Sequence, residues 1–577
     1  YGRLPQTPAG GLTAGEKQFA ISHVWERTPI HLLGWGVDLD RRTPGVAGAA
    51  ARAPHALVQE YLNRSEESLW AIVSNGRVLR ILRDSSSLAG QSFLEFDLEA
   101  MFEGEVFSDF VALFMVAHQS RVEVAPDAPA SDCWLEKWRT AAVESGTRAL
   151  GELRVGVREA IEALGTGFLH HPDNGALVHR LNSGELKLED YHRALLRLVY
   201  RLLFLFVAED RGALLAPDAD EVTRERYARY FSTARLRRLA TRRRGTRHGD
   251  QWESLRLVIG ALGRDGGRPE LGLPGLGGLF EAGPADVVTD LGLANEALFA
   301  AVRRLAVVQL KGQPKRLVDY RNLGAEELGG IYESLLELVP RFDPVERTFT
   351  LESLAGNERK TSGSYYTPTS LIDLVLDTAL DPLLDAAERE KDAEAALLGL
   401  TVCDPACGSG HFLVAAARRL AERLAIARTG EVDPSPVHQQ QALYDVISRC
   451  IYGVDLNPMA AELAKVSLWI EALQPGRPLS FLDAHIKVGN SLLGTTPALL
   501  AAGIPDGAFT PIEGDDRKHT SALKKRNAAE RSGQGELFGV DVVDPGNRAL
   551  RAEVRRIGGG RTEPGRRPPP GAAVPGA

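Results

Sequence analysis

The pattern of apolar and polar positions predicts strands and helices together in the first quarter of the chain. Residues 68–84 contain two apolar runs separated by a turn at residues 74–76, where Asn-Gly tolerates the positive φ angles of a tight hairpin. Residues 92–102 predict a further strand that continues into a helix. We therefore expect residues 1–145 to form a mixed α/β domain. It is nuclease-like or a docking scaffold, and it lacks a clear catalytic set of acids and lysine.

Helical patterns dominate the next part of the chain, residues 146–345. The segment 188–215 has apolar residues on more than one face, which predicts a long buried helix. Its most apolar stretch is interrupted by arginines and is shorter than the roughly 18–20 residues of a membrane span, so no membrane contact is expected. The glycine-rich stretch 271–283 is too irregular to hold a phosphate and predicts a linker.

The segment 397–425 predicts a strand, a glycine turn and a helix in that order. The strand ends near Asp404, the turn occupies residues 408–410, and apolar positions with helical spacing follow. This order is typical of the first unit of a doubly wound parallel sheet, in which glycines let backbone amides approach a ligand closely. A second unit, residues 448–473, repeats the order with Asp455 at the tip of its strand.

The residues around the first turn indicate which ligand this edge would bind. A dinucleotide motif needs a third glycine where this chain has Leu413, and the Gly-Lys-Ser/Thr of a phosphate-binding loop is absent. Asp404 would repel a pyrophosphate but suits a cationic group, such as the amino group of a methionine moiety. Asp455 can accept hydrogen bonds from both hydroxyls of a ribose. The pattern therefore favours S-adenosylmethionine (SAM).

The charge of the chain limits how it could bind a nucleic acid. The chain has 577 residues and a net charge of −8, so nucleic-acid contact requires a local basic patch. Residues 235–248 hold seven arginines and no acid. They form either a solvated surface run or a phosphate-contacting patch. The candidate DNA-contacting residues are Arg237, Arg238, Arg242, Arg243 and Arg244.

The four cysteines, Cys133, Cys403, Cys407 and Cys450, do not form a disulfide framework in a chain of this length. They predict a reducing, cytoplasmic compartment. We expect no metal site and interpret the cysteines as small buried side chains. The first residues show no signal peptide and no initiator methionine, which predicts a start inside a longer reading frame.

Four motifs of the chain resemble the motifs of a known enzyme family. DPACGSGHFL (404–413) and GVDLNP (453–458) resemble motifs I and II of amino-methyltransferases that act on DNA. SGSYYTP (362–368) resembles their motif X, and residues 479–494 resemble motif III. Motif X before motif I is the order of the enzymes that methylate adenine N6. The long N-terminal extension is similar to large restriction–modification and phage-defence methyltransferases, namely the fused restriction–methylation and BREX- or DISARM-type enzymes.

The resemblance implies SAM as cofactor, double-stranded DNA as substrate, and restriction or phage-defence proteins as possible partners. The implied fold is α/β, with a Rossmann-like, doubly wound methyltransferase domain that follows the mixed α/β domain and the helical domain along the chain. The implied cofactor-binding residues come from all four motifs: Tyr365, Tyr366, Thr367, Pro368, Asp404, Ala406, Cys407, Gly408, Ser409, Gly410, Asp455, Leu456 and Asn490. Many relatives have Asp where this chain has Asn490, and an Asn carbonyl can still accept from the adenine amine.

The family holds its target base with an Asn/Asp/Ser-Pro-Pro-aromatic loop, and that tetrapeptide does not occur in the chain. The only adjacent prolines, residues 568–570, lie in a Pro/Gly/Arg-rich tail. The catalytic residues are therefore unknown, and we expect a truncated or frameshifted chain that binds SAM without transferring a methyl group. The expected division is completed by a SAM-binding core at 346–505 and a polar linker with a disordered tail at 506–577.

Two alternatives stay open beside a DNA adenine methyltransferase. One is a non-catalytic SAM-binding subunit that works with a partner. The other is a relative of the protein-glutamine methyltransferases, whose catalytic loop resembles that of the DNA enzymes. Motif X and the large helical extension argue against the second alternative.

Overall fold

A computed structural model describes most of the chain. The described residues are 4–8, 10–84, 93–283, 286–309, 314–321, 323–336, 338–353, 367, 369–472, 482–492, 505–511 and 517–532. The chain divides into two compact units, Tyr1–Gly489 and Asn490–Ala577.

Fourteen strands lie in the described residues, all of them in the first unit. They are β1 (Leu12–Ala14), β2 (Lys17–Phe19), β3 (His23–Trp25), β4 (Thr28–Leu32), β5 (Trp70–Ser74), β6 (Val78–Arg83), β7 (Phe93–Asp97), β8 (Val307–Val308), β9 (Arg316–Leu317), β10 (Leu338–Asp343), β11 (Thr348–Ser353), β12 (Val402–Asp404), β13 (Ile451–Asp455) and β14 (Ile486–Val488).

The α-helices of the described residues outnumber the strands. They are α1 (Pro54–Arg64), α2 (Leu98–Glu103), α3 (Phe107–Ala117), α4 (Trp134–His170), α5 (Gly175–Ser183), α6 (Leu188–Asp210), α7 (Glu221–Tyr230), α8 (Thr233–Arg242), α9 (Asp250–Leu262), α10 (Asn295–Ala306), α11 (Ala325–Leu336), α12 (Thr369–Val375), α13 (Asp381–Glu388), α14 (Ala393–Leu398), α15 (His411–Thr429), α16 (Pro436–Arg449), α17 (Pro458–Glu471), α18 (Leu482–His485) and α19 (Arg517–Ser532).

A five-stranded sheet organises the N-terminal part, in the order β3-β4-β5-β6-β7. Strands β4 and β5 are parallel, with Ile30 opposite Ile72, and the buried helix α1 lies between them in the chain. Strands β5 and β6 form the predicted hairpin, and β7 runs directly into α2. These predictions of two strands, a turn and a strand-to-helix junction are confirmed.

Long helices build the middle of the first unit around α6. This helix is buried on more than one face, as its apolar pattern predicted. Tyr191 anchors it by donating a hydrogen bond to the Gly165 carbonyl of α4, over 2.7 Å. Helix α10 approaches α4 so closely that a Cβ at Gly156 would lie 2.4 Å from the Arg304 carbonyl oxygen. The close approach brings the helices together without voids.

A three-stranded parallel sheet, β12-β13-β14, follows further along the chain. Helices α15 and α16 connect its first two strands, and α17 begins directly after the second. Helix α17 starts where the sequence supplies both a cap and a proline. The Asn457 side chain accepts from the Met459 amide over 3.0 Å, and Pro458 occupies the first turn.

The helices and the parallel sheet share one interior. A single buried cluster runs from Leu153 to Ile486. Within it, the Phe204 ring of α6 stacks on the Trp469 ring of α17, with centroids 4.1 Å apart. The Arg211 guanidinium, just past the end of α6, donates to the Ile470 carbonyl over 2.9 Å. The long helix therefore forms part of the core beneath the parallel sheet.

The N-terminal part contacts the loop between α15 and α16. Glu431 in this loop is buried, and its carboxylate accepts from the Ala53 amide over 2.8 Å and from Arg42 Nε over 3.3 Å. Asn63 donates to Asp433 over 2.9 Å. Burial raises the pKa of Asp433 to about 6. Charged hydrogen bonds to a carboxylate are stronger than neutral ones, so this loop attaches the N-terminal sheet firmly.

Three predictions from the sequence need correction. Helix α6 ends at Asp210 rather than near 215, because Gly212 adopts a φ of +66° that stops the helix. The stretch 271–283 is not a linker, since its apolar side chains are buried in the core: Leu271, Leu273, Leu276, Leu279 and Phe280. Cys403 is exposed, whereas the other three cysteines are buried as expected.

Residues 506–577 were predicted as a polar linker and a disordered tail. Residues 517–532 instead form α19, because alanine, lysine and arginine are good helix formers even without an apolar face. The tail beyond 532 lies outside the described residues. The predicted boundaries at 145 and 345 fall within α4 and in the turn between β10 and β11. The four-part division of the chain stays a prediction.

The stacked pair gives a test of the shared interior. We expect Trp469→Ala to lower the free energy of unfolding of the first unit by about 3–5 kcal/mol, because it leaves a cavity beneath Phe204. Urea unfolding measures this value. Trp35→Ala removes a ring that is 66% exposed and should change it by about 1 kcal/mol or less. Equal effects of the two substitutions would contradict a shared core.

Candidate cofactor site

Two carboxylates meet at the carboxyl edge of the parallel sheet. Asp404 ends β12 and Asp455 ends β13, and these strands are adjacent, with Asp404 opposite Gly453. Parallel strands place their carboxyl ends at the same edge, where open α/β sheets bind ligands. The sequence pattern of strand, acid and turn thus brings both predicted acids to one place.

The turn after β12 is held by backbone hydrogen bonds to these acids. The Ala406 amide donates to the Asp404 carboxylate over 2.9 Å, and the Gly408 amide donates to the Asp455 carboxylate over 2.8 Å. Gly408 has a φ of +54°, and a Cβ built on it would meet no atom of the described residues within 4 Å. The turn therefore needs glycine for its backbone angle and faces open space on that side.

The opposite side of the turn is tightly packed. A Cβ on Gly410 would lie 3.0 Å from Ala464 Cα of α17, and one on Gly453 would lie 2.9 Å from a methyl carbon of Leu413. Ser409 and Cys407 are buried between these elements. Only the side that carries Gly408 is therefore open to a ligand, within the described part of the chain.

The electrostatics of the edge favour a cation. Burial, and to a smaller extent the charge of Asp455, raise the pKa of Asp404, while the Ala406 amide lowers it. A carboxylate with a raised pKa is under-compensated, so a bound positive charge stabilises it. Burial raises the pKa of the Cys407 thiol to about 12, which keeps this thiol neutral and unreactive near pH 7.

Asp455 and Leu456 provide a polar and an apolar surface side by side. The Asp455 carboxylate accepts from Gly408 and, over 2.8 Å, from the Asn457 amide. A carboxylate has about four acceptor positions, so it can accept two more bonds. Leu456 follows directly and is 71% exposed, so it offers an apolar side chain at the surface. The pair suits a ligand with hydroxyls next to a flat apolar ring.

Other predicted cofactor residues are not brought to this edge by the described structure. Tyr365, Tyr366 and Pro368 lie outside the described residues, and Thr367 is exposed. Asn490 begins the second unit, where its side-chain oxygen accepts from the Leu492 amide over 2.9 Å. The expected roles of these five residues stay predictions.

The structure separates the candidate DNA-contacting arginines into two groups. Arg237 points inward, pairs with Asp210 and lies over the Phe206 ring at 4.9 Å, so Asp210 already neutralises its charge. Arg238 is exposed in the middle of α8, and Arg242, Arg243 and Arg244 are exposed at and beyond its end. Of the five candidates, these four therefore remain at the surface, and their contact with DNA stays a prediction.

One functional contact was missed from the sequence. Gly329 of α11 lies against the glycine turn, because a Cβ there would be only 2.9 Å from Ser409 Oγ. Adjacent glycines, Gly329 and Gly330, inside an apolar helix are the signal that could have indicated a close approach. Helix α11 thus supports the turn from behind.

The described residues contain no candidate metal site and no candidate membrane span. No group of three or more His, Cys, Asp or Glu side chains in this part of the chain could hold a metal ion. No described helix is long and apolar enough to cross a membrane.

The segment around this edge is similar to known proteins. Residues 347–494 match the family model described as N-6 DNA Methylase. A putative type II restriction enzyme and methyltransferase of Methanocaldococcus jannaschii is 25% identical over 216 residues, covering 30% of this chain and 17% of its own length. The adenine-specific methyltransferase PglX of Streptomyces coelicolor is 34% identical over 151 residues, covering 25% of this chain and 11% of its own length.

The chain thus spans less than a fifth of the length of these two curated relatives. Among solved structures, the Type IIL restriction-modification enzyme MmeI in complex with DNA is 17% identical and covers 54% of this chain and 35% of its own, with a TM-score of 0.32. That score is too low to assign a shared fold. Residues 347–494 are therefore similar to the N-6 DNA Methylase family, and parts of the chain are similar to a protein named as a type II restriction enzyme and methyltransferase and to one named as an adenine-specific methyltransferase.

Proposed function

We propose that this chain carries the SAM-binding part of a DNA adenine-N6 methyltransferase from a restriction–modification or phage-defence system. The observation that carries the proposal is the edge at which Asp404 and Asp455 both bind the glycine turn, with open space beside Gly408. The N-6 DNA Methylase match covers this same edge. In this proposal, strands β12–β14 begin a Rossmann-like, doubly wound sheet.

The residues of the edge fit the groups of SAM. Asp404 would lie near the positive methionine end, because its raised pKa reflects a carboxylate that lacks a compensating charge. Asp455 would accept from the ribose hydroxyls with its remaining acceptor positions, and exposed Leu456 would cover a face of the adenine. Ala406, Cys407, Gly408, Ser409 and Gly410 would supply the backbone surface along the ligand.

Bound SAM would supply an activated methyl group on a sulfonium sulfur. The described residues of the chain bind and orient, since Cys407 is a neutral thiol and both acids are engaged by amides. The Asn/Asp/Ser-Pro-Pro-aromatic tetrapeptide that the family uses to hold a flipped adenine does not occur in the chain. We therefore propose that these 577 residues bind SAM without turnover.

Double-stranded DNA is the proposed substrate of the whole enzyme. The exposed arginines of α8 and the segment after it support this, because four exposed arginines for which the described residues show no ion pair lie close together along the chain. A non-catalytic SAM-binding subunit is the second candidate, favoured by the missing tetrapeptide. The match to a DNA methylase family, rather than a protein methylase family, disfavours the glutamine-methylating alternative.

Calorimetry with SAM and a tritiated-methyl transfer assay on unmethylated DNA test the proposal together. We expect the chain to bind SAM and to transfer no methyl group. Asp455→Ala should weaken SAM binding by roughly 100-fold, because two hydrogen bonds to a charged acceptor are lost. Asp173→Ala changes an exposed acid far along the chain and serves as the control. Unchanged affinity in a folded Asp455→Ala variant would refute the ribose assignment, and methyl transfer would refute the lack of turnover.

The affinity for SAM should also depend on pH through Asp404. Its pKa is raised, so lowering the pH protonates it earlier than an ordinary aspartate and removes the negative charge that a cation needs. Affinity should therefore fall as the pH is lowered from neutral into the acid range, and the fall should begin above the pH at which an ordinary aspartate, with a pKa of about 3.9, is protonated. Calorimetry across this range measures the effect. Asp404→Asn should bind weakly with a nearly flat profile, and a profile as steep as that of the wild type would assign the dependence elsewhere.

The arginine patch is tested by DNA affinity at several salt concentrations. We expect the triple substitution of Arg242, Arg243 and Arg244 by serine to weaken DNA binding, and to reduce the slope of log affinity against log salt by about 2.7, at about 0.9 per lost phosphate contact. Serine substitution at three exposed arginines elsewhere is the matched control: Arg41, Arg180 and Arg229. If both triple variants lose the same slope, the charge acts non-specifically and the patch is not a DNA contact.

A further inference from the structure

Helix α3 is apolar at nine of its eleven residues, yet the described part of the chain buries none of them. Its sequence, FSDFVALFMVA, places apolar side chains all around the helix. Such a helix belongs in an interior or an interface. Its C-terminal end is fixed, because Val116 and Ala117 pack partly against the small core that contains Ile30 and Trp70. The rest of the helix faces outward.

The exposed side chains form one continuous surface, which we call the α3 face. The Phe110 ring lies 6.3 Å from the Phe102 ring and 6.4 Å from the Phe107 ring, between centroids. The members of the α3 face are Phe102, Val106, Phe107, Phe110, Val111, Phe114 and Met115. Contiguous apolar surface of this kind marks an interaction site on a folded protein.

The α3 face is large enough for a stable dimer. Its four phenylalanines are 61%, 75%, 42% and 56% exposed. At 150–250 Å² for a large aromatic side chain, they expose roughly 350–600 Å². The two valines and the methionine bring the surface close to the roughly 800 Å² that each partner contributes to a standard protein interface.

The charges around the α3 face select the partner. Acidic Glu103, Glu105 and Asp109 surround the N-terminal end of α3, while His118 and Arg121, followed by Glu123, come after its C-terminal end. A second copy that runs antiparallel would place the acidic end of each helix against Arg121 of the other and would oppose the two helix dipoles. Acids at the rim do not suit an anionic membrane, which attracts lysine and arginine instead.

We propose that the α3 face joins two copies of this chain through antiparallel α3 helices, about a two-fold axis near Ala112. In this arrangement Phe110 of one copy lies opposite Phe114 of the second, and the interface is the same patch on both copies. The dimer would form through the N-terminal part, away from the cofactor edge. It is therefore independent of whether the chain transfers a methyl group.

Analytical ultracentrifugation of the whole chain over a concentration series tests the dimer. We expect a reversible dimer, and Phe107→Lys with Phe114→Lys should weaken its association by about 100-fold or more, since aromatic anchors at the centre of an interface carry most of its energy. Val222→Lys with Val345→Lys also introduces two lysines, at exposed valines outside the α3 face, and should leave association unaltered. Thermal unfolding confirms that both double variants are folded.

Cross-linking tests the two-fold axis directly. Val111→Cys should form a disulfide-linked dimer under mild oxidation, because Val111 belongs to the α3 face and lies one residue from the level of the axis, whereas Val345→Cys should not. The unsubstituted chain controls for exposed Cys403. A chain that stays monomeric up to about 100 μM would overturn the proposal and point to another occupant of the α3 face. So would a dimer whose association is unchanged by the lysine pair at Phe107 and Phe114.

Discussion

The carboxylate of Asp455 joins the two turns at the edge of the parallel sheet, and the arrangement of the candidate site depends on it. One of its oxygens accepts from Gly408 in the first turn and the other from Asn457 in the second. A single side chain thereby fixes the distance between two loops that belong to different strands. It leaves acceptor positions on the open side, where Gly408 presents no side chain. Structure and ligand recognition therefore use different lone pairs of the same group.

The support for this edge comes from helices that lie far away in the sequence. Helix α17 packs behind the glycine turn and stacks Trp469 on Phe204 of α6. Helix α11 presses Gly329 against Ser409. Arg418 of α15 ties these elements together through Glu326 and Glu471, with contacts of 2.9 Å. A turn that must keep a fixed shape is thus held from behind by rigid, well-packed elements.

Local patterns in the sequence were sufficient to predict where the two acids lie, but not how the surrounding residues pack. Asp404 and Asp455 could be located because a strand, an acid and a turn are adjacent in the chain, and parallel pairing then brings them together. The burial of residues 271–283 could not be predicted, because glycine-rich composition suggests a linker and only packing against α6 reveals a core. Arg237 is the same residue type as its exposed neighbours in the sequence. Only the folded structure shows that it lies on the inward face of α8, where it pairs with Asp210.

The stack of Phe204 on Trp469 has a consequence for protein engineering. Family boundaries invite a researcher to excise residues 347–494 as a module and to graft them onto another protein. The excised module would lack part of its interior, since α17 would lose the helix α6 that packs against it. A transplantable unit has to begin upstream of α6, and recombination between relatives should be tolerated best where its crossover points spare that helix.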